Sequence, residues 1–566
     1  MIEARQSVGV LGRLGQELKR RRLCRWALAC LMLLYGLAIF APLLAGDRPY
    51  LLKAVDYRSY GSALRTLAPV ASSVERLIER GAGEPGEPEQ AWSESLDSEL
   101  NAAEQRIGLL RAAAPTAAAD GFSSYLSTLR SAVAKARAGE RAAGLAEAQA
   151  AKELARELRS SQRAQDPKDP AAGGLELRLQ TSYPLFETIS GLEVFCMLAW
   201  CALLLRRLWS PPLGRLLAGR KPGARRARPG TQALLAWAFC SLLAALWGAT
   251  LGGSPSFERA PHKAALDAGE LVAESVLFPP LAFGFAESHL GEIHRPPTWS
   301  AGARREAGGS PEPREPVLGA ELAARVPVEV RHGEPGINSP WRHPLGTDSH
   351  GRDLLVRLLF GARVSLAVGL IAALLVLLIG TAIGALAGYY GGRTDFWISR
   401  LIEVLQCFPA FFLILLVLAY WDLRSLPPLF AIVLVMALVR WTGVARLARA
   451  EFLRLRGATF VLAARAAGAS DRSLVLRQIL PNALGPPLVA GTFLVASGIL
   501  TESALSFLGF GVAEPIPSWG SLINDSRSAA HWWIQLFPGL CIFLTVVCFN
   551  LVGEALRDAL DPKLKL

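Results

Sequence analysis

Charge is scarce in this chain. Only 19% of its residues are charged while 52% are hydrophobic, and the mean hydropathy of +0.31 places it among membrane proteins. No G-x-x-x-x-G-K-[ST] run occurs, which excludes a loop cradling nucleotide phosphates in the P-loop manner. No nucleophile, acid–base pair or oxyanion arrangement stands out either. No catalytic residue is therefore assigned and no enzyme activity is expected. Cys24, Cys30, Cys196, Cys201, Cys240, Cys407, Cys541 and Cys548 all fall in or at the edge of apolar stretches. The polar segments thus lack any disulfide framework, and no cysteine spacing suits zinc. His262, His289, His294, His332, His343, His350 and His531 show no close repeated spacing, so they are expected to be surface or turn residues and no metal site is assigned. A net charge of +12 could suggest nucleic acid. The arginines, however, cluster beside apolar runs, which is the positive-inside pattern of a bilayer protein.

The apolar runs order the chain. Residues 1–25 end in KRRRLCR, a cationic cytoplasmic anchor, and 26–44 follow as a first span. That run exceeds the 7–15 residues of a secretory signal core. Residues 46–185 are polar and rich in Ala, Glu and Arg, with Leu100, Ala103, Ile107 and Leu110 at helical spacing, and Leu126, Leu129 and Val133 likewise. GAGEPGEPE and DPKDPAAGG break the pattern, so a small helical bundle is expected. Spans at 189–205 and 232–251 flank a strongly basic loop, and 252–345 is rich in Pro and Gly with little periodicity. Further spans are expected at 365–387, 401–420, 429–444, 486–506 and 533–553, for about eight in all. Span parity then puts both termini in the cytoplasm.

One stretch between the later spans cannot cross a bilayer. FVLAARAAGASDRSLVLRQILPN, residues 460–482, is interrupted by Arg465, Asp471, Arg472 and Arg477. Its small residues favour helix and close approach, Gly468 can take the positive φ that ends a helix, and Ser470 can cap the next. Two short helices bent at Gly468 are expected. Ala463-Ala464, Gly468 and then Leu480-Pro481 resemble the Glu-Ala-Ala loop of permease subunits in ABC importers. Residues 343–370 (HPLGTDSHGRDLLVRLLFGARVSLAVGL), 388–404 (GYYGGRTDFWISRLIEV), 500–523 (LTESALSFLGFGVAEPIPSWGSLI) and 556–564 (LRDALDPKL) narrow the resemblance to the dipeptide, oligopeptide and nickel group. It covers about residues 20–60 and 340–566. One departure is Leu462, which stands where the motif has its glutamate.

The resemblance implies an all-α integral membrane protein with the type I ABC importer permease fold, carrying an inserted helical extracytoplasmic domain. It divides the chain into a cytoplasmic N-terminus (1–25), a first transmembrane helix (26–45), the inserted periplasmic domain (46–185), two added transmembrane helices with their basic loop (186–251), a periplasmic segment with an interfacial helix (252–360), and a permease core (361–566) with its coupling loop (450–482). It implies that Phe460, Leu462, Ala463, Ala464, Gly468, Leu480 and Pro481 couple to an ATPase. The implied partners are a second permease subunit, two ATPase subunits or a fused one, a periplasmic solute-binding protein and the lipid bilayer of a bacterial inner membrane. No cofactor is expected in this chain, since ATP and Mg would be bound by the partner ATPase. A peptide substrate is favoured, a nickel or metal-chelate importer is one alternative, and a membrane sensor with a periplasmic helical domain is another.

Two further sets of residues stand out. His343, Gly346, Thr347, Asp348, Gly351, Arg352 and Asp353 form an outer-face motif, expected as a turn with Asp348 as helix cap. A short helix should follow, with Leu354, Leu355, Leu358 and Leu359 flat on the membrane surface. Glu403, Arg440, Glu502 and Glu554 lie in or near spans, where charge is costly, and they either pair between helices or line the substrate route.

Overall fold

The computed structural model describes residues 21–81, 89–113, 119–161, 177, 180–204, 240–241, 243–245, 247, 262–267, 271–299, 334–336, 339, 341–420, 427–525 and 529–560. Helix α1 (Arg22–Leu44) has 23 residues, about 35 Å of helix and enough to cross a bilayer core. Strand β1 (Leu51–Asp56) follows, then α2 (Tyr57–Arg80), α3 (Glu89–Ala113), α4 (Ala119–Arg137) and α5 (Arg141–Ser161). Strand β2 (Gln180–Ser182) and α6 (Gly191–Leu204) come next, and β3 (Leu271–Leu277) returns to pair with β1.

Helices α2 to α5 form the expected bundle. Leu67, Val74, Ile78, Leu96, Ile107, Leu110, Phe122 and Leu129 are at most 1% exposed and share one core. Apolar residues at helical spacing make that stripe, and burying it stabilises each helix against the others. Where aromatic heads enter the core they are paired: Tyr125 Oη donates to Leu67 O at 2.8 Å and Trp92 Nε1 to Leu77 O at 2.7 Å. An antiparallel sheet in the order β2-β1-β3 closes the base of this excursion, with Leu51 opposite Leu277 and Asp56 opposite Leu271. The pairing brings the two ends of residues 57–270 together. Nothing in the weak periodicity of 252–345 pointed to that strand.

The rest is long apolar helix: α7 (Leu354–Tyr390), α8 (Gly392–Gln406), α9 (Ala410–Tyr420), α10 (Pro428–Arg456), α11 (Thr459–Ala466), α12 (Gly485–Phe507), α13 (Trp519–Asn524) and α14 (Trp532–Leu560). Against lipid the hydrophobic effect cannot draw helices together, so close backbone contact must. Gly380, Gly384 and Gly388, four residues apart, present a smooth stripe of α7 to α10. A Cβ on Gly384 would run into Ala445 O, and one on Gly388 would stand 2.6 Å from Phe452 Cβ. Helix α1 packs on α14 through Ala27, Leu31 and Cys548, and Arg21 pairs with Asp558 at 2.6 Å.

Four expectations need correction or restriction. The span expected at 401–420 is not one straight helix: α8 and α9 meet at 84° across residues 407–409, where Pro409 cannot continue the helix of its predecessors. Among the described residues five helices are long and apolar enough to cross a membrane, or six if the bent pair is one span; α6 has 14 residues and falls short by length. Of the span expected at 232–251 only residues 240–241, 243–245 and 247 are described, and these are helical. Finally, Leu354, Leu355, Leu358 and Leu359 do not make a separate surface helix. They begin the 37-residue α7, and Leu354 and Leu358 are buried at 0% and 6% exposure.

Candidate functional site

The loop at 460–482 is docked by one face and bare on the other. Val461, Leu474, Ile479 and Ala483 are buried with Ala385 and Tyr389 of α7 and Phe452 and Leu455 of α10. Phe460, Leu462 and Leu476 remain 40%, 49% and 48% exposed. Helix α11 ends as its sequence requires. Gly468 takes φ +84°, its N–H donates to Arg465 O at 3.0 Å, and the Ala469 N–H reaches back to Ala464 O at 3.1 Å. This is the two-bond ending that needs a left-handed residue. A Cβ on Gly468 would meet nothing within 4 Å, so backbone conformation and not space demands glycine. Ser470 sits at the next N-terminus without a side-chain capping bond, and the second helix is composite, Asp471–Ser473 running into a π-helical stretch at Leu474–Ile479 and then Leu480–Ala483. Tyr389 Oη donates to Asp471, and Arg465 Nη2 donates to Tyr389 Oη at 3.1 Å. The loop is thereby fastened to the end of α7. Ala463 and Pro481 are exposed, whereas Ala464 and Leu480 pack partly inward.

The outer-face motif is a buried knot rather than a surface turn. His343, placed above among surface or turn residues, has no exposed surface. Its Nδ1 lies 2.8 Å from Asp353 Oδ2 and its Nε2 3.0 Å from Glu292 Oε2. Burial alone would lower the imidazole pKa, but hydrogen bonds to the two carboxylates outweigh it and raise it. Burial likewise pushes the Glu292 carboxyl up, and hydrogen bonds from His343 and Arg342 more than reverse that, holding it well below the usual range. Arg342 grips Glu292 through Nε at 2.8 Å and Nη2 at 2.7 Å. Gly346 and Gly351 turn the chain, and the Thr347 N–H bonds Arg295 O at 2.9 Å.

The helix cap is Asp353, not Asp348. Asp353 Oδ1 accepts from the Val356 N–H at 2.8 Å. Asp348 instead spends its oxygens on the His350 and Arg352 N–H groups and on Arg352 Nε, at 2.8, 2.9 and 2.6 Å. Arg352 continues to Glu514 at 3.1 Å, and Arg357 lies 3.3 Å from Asp525 and 3.4 Å from Asp348. The motif therefore binds the start of α7 to the loop between α12 and α14. Glu292, Arg342, Arg357, Glu514 and Asp525 were missed by sequence reasoning, because they gain meaning only from distant partners.

Comparison with known proteins fits this arrangement. The family described as binding-protein-dependent transport system inner membrane component matches residues 380–566. The oligopeptide transport system permease protein OppC of Haemophilus influenzae is 42% identical over 223 residues, 39% of this chain and 70% of that one. The dipeptide transport system permease protein DppC of Bacillus subtilis is 38% identical over 252 residues, 44% of this chain and 78% of that one. The glutathione transport system permease protein GsiD of Pectobacterium atrosepticum is 42% identical over 227 residues, 39% and 73% of the two chains. The chain belongs to this family. It is a transport permease and a multi-pass membrane protein.

The intramembrane charges of the permease divide by partner. Glu403 is exposed on α8 and pairs with Arg400 at 2.7 Å, so it links no two helices. Glu554 is exposed near the end of α14. Glu502 is fully buried in α12 and accepts from Ser365 Oγ and Ser506 Oγ, both at 2.7 Å, which joins α12 to α7. Arg440 of α10 donates through Nη1 to Ser497 O at 3.3 Å and Thr501 Oγ1 at 3.0 Å on α12.

Among the described residues one group has metal-ligand geometry. Glu287, His289 and Glu334 bring ligand atoms within 4.8 Å of one another. Lys263 already places its ammonium 2.9 Å from Glu287 and 3.1 Å from Glu334, so a divalent ion there would meet a fixed positive charge. The carboxylates have their cation.

Proposed function

We propose that this chain is one permease of a peptide importer, driven by ATP hydrolysis in partner ATPase subunits that seat the loop at 460–482. The observation that carries this reading is the loop's two-faced construction. Its inner face is fixed to α7 and α10, and its outer face offers Phe460, Leu462 and Ala463 without an internal partner for their exposed surface. A force on such a loop passes directly into two spans. ATP and Mg belong to two ATPase subunits or a fused one, and a second permease completes the pathway. An external solute-binding protein delivers the substrate. The names of the relatives, which specify oligopeptide, dipeptide and glutathione transport, support a peptide. The ion pair between Arg21 and Asp558 supports placing both ends of the described chain on one side of the inner membrane, which the cationic 1–25 segment makes the cytoplasm. The sheet that closes residues 57–270 supports an inserted bundle on the outer side, joined by added helices within 186–251. Leu462, in place of a carboxylate, makes the ATPase contact apolar.

Gly468→Val tests the coupling. A β-branched residue is forced into a conformation it resists at a local cost of about 1–3 kcal/mol, while the spans are untouched. The variant should accumulate normally, lose ATPase subunits on purification and fail to take up peptide. Near-normal uptake at wild-type abundance would remove the assignment.

A further inference from the structure

Arg440 lies deep within an apolar helix. It stands twelve residues beyond Pro428, the first residue of α10, about 18 Å along the axis and so near mid-bilayer depth if α10 begins at the interface. Its guanidinium has two neutral acceptors on α12, the Ser497 carbonyl and the Thr501 hydroxyl. Among the described residues it has no carboxylate partner. Glu502 is adjacent to Thr501 in sequence, but its carboxylate is turned to Ser365 and Ser506. Among the described residues, the buried cations Lys263, Arg342, Arg352 and Arg357 each face a carboxylate. Arg440 departs from that rule.

It also borders an open groove. The groove between α10 and α12 has a volume of about 690 Å³ and is lined by Arg440, Arg446, Val444, Phe493, Leu494 and Ser497, among others. That volume suits a small peptide. Its walls are largely apolar, and its two charges are both positive. A guanidinium presents a planar fork of donors that matches a carboxylate in two parallel hydrogen bonds, and only one of its terminal nitrogens is committed to α12. Arg446, six residues and about 9 Å further along the helix, extends the same positive lining.

We propose that Arg440 is the intramembrane receptor for the terminal carboxylate of the transported peptide as it passes between α10 and α12. The proposal rests on the peptide-import reading and names what this part of the path recognises. The favourable interaction compensates the carboxylate for its lost water in an apolar groove. A free carboxylate therefore becomes a requirement for passage, separate from whatever the binding protein selects.

Two measurements test it in the full chain assembled with its partner permease. First, in a chain freed of its eight native cysteines, Ser497→Cys is alkylated with a maleimide in detergent, without binding protein or ATP. Trialanine should slow the reaction and trialaninamide should not, and Arg440→Gln should abolish the protection while Arg440→Lys keeps part of it. Second, in proteoliposomes with ATPases and binding protein, Arg440→Gln should lower trialanine uptake by about tenfold or more and leave trialaninamide uptake within about twofold of its wild-type level. Equal protection by acid and amide overturns the proposal. So does rescue of Arg440→Glu by reversing an acidic residue on the second permease, which would make Arg440 a subunit contact. Protection by trialanine without any peptide uptake by the wild type would sink the import reading and leave the carboxylate site standing.

Discussion

The bundle of α2 to α5 and the membrane core are both helical, yet they are held together by opposite means. In the bundle, large side chains such as Leu67, Phe122, Tyr125 and Leu129 meet in one interior. In the core, the tightest contact runs where side chains are missing, along Gly380, Gly384 and Gly388. Solvent explains the contrast. Water drives apolar surface together, so bulk stabilises the bundle. Lipid does not, so α7 and α10 gain most from the dispersion contacts that glycine lets the backbones make. A second contrast lies in the polar groups. Charge on the bundle sits outside, as in the 2.7 Å pair of Arg130 and Glu104, whereas the outer-face motif encloses charge and satisfies it completely at His343.

The sharpest break should come at that enclosed charge. His343→Asn leaves Glu292 and Asp353 facing each other without the imidazolium, at a cost of about 3–5 kcal/mol. Hydrogen exchange over residues 343–360 should rise steeply while exchange in α2 to α5 stays unchanged. The same probe should respond to pH in the unmutated chain. The His343 pKa is raised above its ordinary 6.5, so its stabilisation is complete below 6.5 and lost as pH rises through the raised value. The Glu292 pKa is lowered from 4.5, so its share is complete above 4.5 and lost on acidification. Protection should therefore be greatest between these limits and weaken on either side.

A smaller effect on the other region completes the comparison. Leu129→Ala, at a position with no exposure, should cost the bundle about 2–5 kcal/mol. Residues 57–161 expressed alone should give a helical circular dichroism spectrum and melt cooperatively. The alanine variant should melt lower, and dithiothreitol should change neither, since the segment has no cysteine. A bundle that stays folded at equal temperature after this truncation would mean that its core is not the one described.

Gly384→Val gives the smallest direct cost, about 1–3 kcal/mol for overpacking, but it acts where bulk is harmful. The added carbons would meet Ala445 O and Ala448 Cβ, so α7 and α10 must separate. Thermal stability of the purified permease should fall, and peptide uptake with it, while the bundle keeps its protection against exchange. An unaffected Tm would show that α7 and α10 approach less closely than this stripe requires.

Local physics was legible in advance. Gly468 ends α11 because only its own backbone had to be considered. The stripe of Leu100, Ala103, Ile107 and Leu110 predicted a helix face because 3.6-residue periodicity is a property of one segment. Asp348 against Asp353 was not decidable that way. Both carboxylates precede the helix at plausible spacing, and the choice fell to Asp353 because Arg352 and two backbone N–H groups occupy Asp348. Helix α7 likewise outran its expected start, since whether Leu354 lies on a membrane or in a core depends on what is packed over it.

By itself, the sequence determined that the chain enters a membrane, that a helical bundle interrupts it, and that a punctuated loop separates later spans. Those follow from composition, periodicity and the backbone preferences of single residues. Tertiary structure alone decided that β1 would find β3, that Lys263 would fill the space between Glu287 and Glu334, that His343 would be enclosed by Glu292 and Asp353, and that Arg440 would border a groove while bonding the neutral acceptors Ser497 O and Thr501 Oγ1. The energy of a buried charge is set by its neighbours' positions, and those positions come from segments far apart along the chain.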